Sequence, residues 1–121
     1  MAHAFYHAKS SARRFGGVLE DYIELHKWLD STKAHLADAR HRLVLHNTWG
    51  IFLAEQIFGV TITRASDGKE VPTRTILEQH VLEDLGRIPT LEQCLTQVTL
   101  EPWMYRNAEA LSQQNTQETA S

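Results

Sequence analysis

The chain has 121 residues, 42% hydrophobic and 22% charged, with a formal net charge of -3. That length suits one domain around a modest core, and the small negative charge excludes broad nucleic-acid or membrane binding driven by bulk charge. A single cysteine, Cys94, excludes an internal disulfide framework and a cysteine-rich zinc site.

The predicted elements give a mainly α fold, a small bundle of about five helices with one short β-hairpin. His3 to Phe15 reads as a helix ended by Gly16-Gly17. Leu19, Tyr22, Ile23, Leu25 and Leu29 recur at helical spacing and predict a second helix over 19–29. Asp30-Ser31-Thr32 is a capping sequence for a third, running from Thr32 to Phe58 and stopped by Gly59. Val60 to Val71 reads as a hairpin around Ser66-Asp67-Gly68 and ends at Pro72. Thr73 to Leu85 is a fourth helix closed by Gly86, and Leu91 to Val98 a fifth, capped by Thr90. Pro102 to Tyr105 is a final apolar segment expected to pack back on the bundle. One helical domain over 1–106 and a disordered polar tail over 107–121 follow. No run approaches the length of a membrane span and the N-terminus has no signal-peptide core, so a cytoplasmic location is expected.

Six of the seven histidines fall in the first 46 residues. Histidine is the commonest metal ligand and titrates near neutral pH. On one continuous helix over 32–58, His35, Asp38, Arg42, His46 and Trp49 share a face within about 80°. Leu36, Ala39, Leu43, Gly50, Ala54 and Ile57 form the neighbouring core stripe. His41 then points elsewhere. His35 and His46 stand about 16 Å apart along such a helix, so one metal needs ligands from other helices. His7, His26 and His80 are the candidates, with Glu83 and Asp84 beside His80. His80 and Asp84 are four residues apart, a chelating spacing.

There is no H-E-x-x-H, no His-Asp dipeptide, no G-x-S-x-G and no phosphate-binding glycine loop. Ser66-Asp67-Gly68-Lys69 matches a Ser-x-x-Lys string but reads as a turn. Cys94, between Leu91 and Leu95, reads as a small buried hydrophobe. Trp28, Trp49 and Trp103 read first as core or interface residues.

The blocks HAKSSARRFGG from His7, EDYIELHKWLDSTKAHLADARHR from Glu20, HNTWGIFLAEQIFGVTI from His46 and EQHVLEDLGRIPT from Glu78 carry a resemblance. Over about residues 5–103 the chain resembles a family of small uncharacterised bacterial and phage proteins. The resemblance implies no reaction, ligand or catalytic residue. It does imply a second histidine after the one matching His46, where this chain has Asn47.

The leading functional expectation is a metal-binding protein, extending to a metal-dependent hydrolase of a phosphorylated or nucleotide-like substrate. His26, His35, Asp38, His46 and His80 are the expected ligands, with His7 in reserve. Zinc, manganese and iron all suit nitrogen and oxygen donors. Glu83 or Glu55 would serve as a base, and Arg42 would hold phosphate. The alternative is a non-catalytic homo-oligomer that sequesters a ligand or inhibits a host or defence protein. In that case the histidines are structural.

Overall fold

The computed structural model describes residues 3–108, without the side chains of 106–108. Among them are six α-helices and one antiparallel hairpin. The expected tail lies, from residue 109 on, outside the described residues.

Helix α1 (Ala4–Phe15) ends at Gly16, whose φ of 96° favours glycine. A 3-10 turn, Leu19–Asp21, leads into α2 (Ile23–Leu29). After the segment discussed below, α4 (Thr48–Phe58) feeds the hairpin of β1 (Thr61–Thr63) and β2 (Glu70–Pro72). Ile62 pairs with Val71 at its centre. Arg64 is buried beneath the turn, clasped by Asp67, and donates to the Phe15 carbonyl, which ties the hairpin to the end of α1. Helix α5 (Thr73–Leu85) ends at Gly86 in the left-handed region. Helix α6 (Leu91–Cys94) opens on the expected Thr90 capping box but stops short of Val98. The last segment, a 3-10 helix over Pro102–Ala108, does not pack into the core: Trp103 is 66% exposed.

α4 packs along α5, and α1 along α2. Tyr22, Leu25, Leu29, Ile51, Ala54, Ile76, Leu77 and Val81 fill the space between them. Burying each large apolar side chain stabilises the fold by roughly 1.5–3 kcal/mol.

The long third helix does not exist. Residues 31–58 form two 3-10 turns (Ser31–Ala34 and Ala39–His41), the one-turn α3 (Arg42–Leu45), and α4. Short polar side chains break it by offering the backbone other partners. The Asp38 carboxylate accepts from the Arg40 amide, and Thr32 Oγ1 donates to the His41 carbonyl at 2.6 Å. Asn47 makes the sharpest break. Its backbone is extended, its Nδ2 donates to the carbonyls of Leu43 and Val44, and its Oδ1 accepts from Gly50 N at 3.0 Å. One side chain therefore closes α3 and opens α4. The expected core stripe fails with the helix. Gly50 and Ala54 are buried, but Ala39 is exposed and Ile57 is 54% exposed.

The bend is tight. A Cβ on Gly50 would sit 1.9 Å from the Leu45 carbonyl oxygen and 2.6 Å from its carbon, so two backbone segments meet where only glycine fits. Gly50→Ala is expected to lower folding stability by about 1–3 kcal/mol through this overpacking. Urea unfolding followed by circular dichroism checks it; a midpoint equal to that of the parent would contradict the close approach.

Candidate metal centre

The break after Leu45 turns His46 inward, toward α5. There His80 and Asp84, one turn apart on α5, present Nε2 and Oδ2 to the same point. Asp30, just past the end of α2, reaches it from the other side. His46 Nε2 lies 2.9 Å from Asp84 Oδ2, 3.2 Å from His80 Nε2 and 3.2 Å from Asp30 Oδ1. His80 Nε2 lies 3.2 Å from Asp84 Oδ2 and 3.3 Å from Asp30 Oδ1. One donor atom from each of the four residues falls within 4.8 Å of every other, so the group could hold a metal ion. Donors placed about 2.0–2.1 Å from a tetrahedral ion stand about 3.3 Å from each other, and the observed separations are close to that.

Hydrogen bonds alone leave this arrangement unsatisfied. Both Asp30 oxygens are buried without a hydrogen-bond donor among the described residues, although two imidazole nitrogens lie near Oδ1. A buried carboxylate without partners is costly. A single Nε2 proton on His46 cannot serve three neighbouring acceptors, whereas a cation satisfies all four donor atoms together.

The surrounding residues hold the four in place. Asp84 Oδ1, turned away from the centre, lies 3.1 Å from His7 Nε2 and 3.6 Å from Arg42 Nη2. His7 Nδ1 lies 2.7 Å from Glu83 Oε1, and Glu83 Oε2 accepts from Ser10 and Gln79. Behind His80, its Nδ1 lies 2.8 Å from His26 Nδ1, and His26 Nε2 lies 2.7 Å from Ser11 Oγ. If His80 ligates through Nε2, its Nδ1–H donates to His26, and His26 Nε2–H donates to Ser11. The hydrogen-bonded imidazole behind the ligand fixes both its tautomer and its ring orientation.

Electrostatics divides the buried residues in and around the centre. Burial opposes a charge on His7, but Asp84 and Glu83 outweigh it and raise its pKa. His46 is raised likewise, against burial, by Asp30 and Asp84. Burial raises the carboxyls of Asp30 and Asp84, yet the neighbouring histidines hold both well below the usual carboxylate range. His26 differs: burial first, then the neighbouring rings of His80 and His7, push it down to about 2, so it is a neutral imidazole.

The expected site residues therefore separate. His46 and His80 meet in the group. His26 backs His80 rather than joining the four, and His7 braces Asp84. His35 and Asp38 are exposed, and Asp38 is paired with Arg40; they shared a face with His46 only on a continuous helix, which the turns at Ser31–Ala34 and Ala39–His41 interrupt. His41 is buried with its ring 5.8 Å from that of His46, not turned away. Glu83 is held by His7, Ser10 and Gln79 and shifted down despite burial, so it orients His7 and is a weak base. Glu55 sits on α4 with Arg74 3.9 Å away. The Arg42 guanidinium is turned to Asp84. Asp30, read from sequence as a helix cap, makes no capping bond and is a member of the group. Asp84 carried one sequence signal, its spacing from His80.

An open cleft of about 450 Å³ adjoins the centre, with Asp30, Lys27, Lys33, His3, Phe5 and Ile23 on its walls. No helix among the described residues is long and apolar enough to cross a membrane.

A family model described as a domain of unknown function, DUF6915, matches residues 2–104. No curated protein and no solved structure matches the chain.

Proposed function

We propose that this chain, which belongs to the DUF6915 family of domains of unknown function, is a metal-binding protein whose ion is held by Asp30, His46, His80 and Asp84. The observation that carries the reading is the convergence of two Nε2 atoms and two carboxylate oxygens in a buried space, with Asp30 lacking a hydrogen-bond donor among the described residues. Two imidazoles and two carboxylates suit zinc, manganese or iron(II) better than calcium or magnesium, which prefer oxygen.

The cleft supports taking the reading further, to hydrolysis of a small phosphorylated substrate. Asp30 belongs both to the donor group and to the cleft wall, so it is the residue through which the two adjoin, with its carboxylate oxygens turned inward. Lys27 and Lys33 on the same wall supply the positive charge an anion needs, a role Arg42 cannot fill while it faces Asp84. A metal ion there would supply Lewis acidity and an acidified water. The lysines would hold the anion, Asp30 would orient the ion toward it, and His7 would keep Asp84 in place.

Protein stripped with a chelator and reloaded should retain about one equivalent of zinc, manganese or iron by elemental analysis. His80→Ala should retain almost none. Wild-type retention below about a tenth of an equivalent overturns the metal reading. A loaded protein that fails to hydrolyse any phosphomonoester or nucleotide in a panel leaves the ion structural and overturns the hydrolase reading alone.

A further inference from the structure

Three buried polar atoms on one short stretch are unaccounted for by the centre as described. His41 Nε2, Arg42 Nε and His46 Nδ1 all lie away from solvent with no hydrogen-bond partner among the described residues. Two of them form a complementary pair. His41 Nδ1 lies 2.8 Å from the Asp38 carbonyl oxygen, which can only accept, so Nδ1 carries the proton. In the neutral ring Nε2 is then an acceptor with nothing to accept. His46 is in the opposite state once its Nε2 turns to an ion, because Nδ1 must then carry the proton and needs an acceptor. The two rings stand 5.8 Å apart between centroids, against 5.0 Å for His26 and His80, whose nitrogens are already 2.8 Å apart. The two rings must move closer together for that bond to form.

We infer that His41 is the positioning residue for His46, accepting its Nδ1–H when the centre is loaded. The inference rests on the metal reading above. It makes the two halves of the centre alike. His80 would be backed by His26 and anchored at Ser11; His46 would be backed by His41 and anchored at the Asp38 carbonyl. It also gives the 3-10 turn at Ala39–His41 a purpose, since that turn swings His41 inward behind His46 while leaving Arg40 outside.

The test is titration of zinc, and of cobalt(II) followed by its visible spectrum, into chelator-stripped wild type, His41→Phe and His41→Gln. Phenylalanine fills the space but accepts nothing. Glutamine offers an oxygen near the position of Nε2. Wild type should bind one ion, His41→Phe should bind about 10–100-fold more weakly, and His41→Gln should recover most of the loss with a cobalt spectrum like that of wild type. Equal affinity for wild type and His41→Phe overturns the inference and leaves the metal reading standing. Equal weakness of both variants also overturns it, since packing alone would then explain the loss. A wild type that binds no ion removes the metal reading and this inference together. Should His41→Phe fail to fold, nitrogen NMR of wild type decides: zinc should protect the His46 Nδ1 proton and move the His41 Nε2 resonance, and an unmoved His41 resonance overturns the inference.

Discussion

Asp84→Ala should cost about 3–5 kcal/mol of stability in metal-free protein, the range for stripping one partner from a buried charge cluster. Asp84 is the hub of the polar interior. Its Oδ2 faces His46 and His80; its Oδ1 faces His7 and Arg42. Removing it leaves the raised histidines His7 and His46 and the guanidinium of Arg42 without their shared counter-charge in a space of low dielectric. Asp30→Ala should behave differently. Its oxygens have no hydrogen-bond donor among the described residues, so the metal-free protein loses only the attraction between its charge and the neighbouring histidines, and the cost should be smaller than for Asp84→Ala. Both variants should lose the ion. Chemical denaturation in chelator separates the two. A cost for Asp84→Ala below about 1 kcal/mol, or equal costs for both, would mean that Asp84 is not the organising charge.

The same two aspartates show what sequence could and could not reveal. Thr73–Leu85 was legible because Pro72 before it and Gly86 after it bracket it, and that helix carries His80 and Asp84 at a chelating spacing. Asp30 was not legible. Nothing local distinguishes a buried carboxylate after a helix from a capping one; only the packing of α2 against α5 does. The largest error came from Asn47. A run that is helical in composition from Thr32 to Phe58 conceals a side chain able to satisfy both helix ends at once. Projecting a single helix through the earlier turns at Ser31–Ala34 and Ala39–His41 put His35 and Asp38 beside His46 and turned His41 away. The structure reverses each of these placements. The position where the family resemblance implies a histidine is thus occupied by a residue that shapes the backbone carrying His46.

The chain's response to pH should depend on whether the ion is bound. In metal-free protein, His7 and His46 have pKa values raised above the ordinary 6.5. Their contribution to stability is complete below 6.5 and is lost as pH rises through their folded values. His26 works in the opposite sense, but only on the acid side. Its folded value of about 2 makes the native state refuse a proton that the unfolded chain accepts below 6.5, and above that pH it is silent. The carboxylates Asp30 and Asp84, lowered in the fold, contribute fully above the ordinary carboxylate range and add no slope near neutrality. From 6.5 upward, then, metal-free protein should lose stability as the two raised histidines give up protons and leave the aspartates uncompensated. A bound metal should reverse the trend, because the ion would replace the charge that His46 must surrender to ligate it. Affinity should rise by up to about tenfold per pH unit for each proton displaced, until His46 is neutral. With free metal at about 1,000 times its dissociation constant, the bound form gains about 4 kcal/mol. Thermal unfolding between about pH 6.5 and 9, with chelator and with zinc or manganese, should give curves that diverge as pH rises. Parallel curves would mean that the ion does not take the place of the His46 proton, and that any metal bound by the protein sits elsewhere.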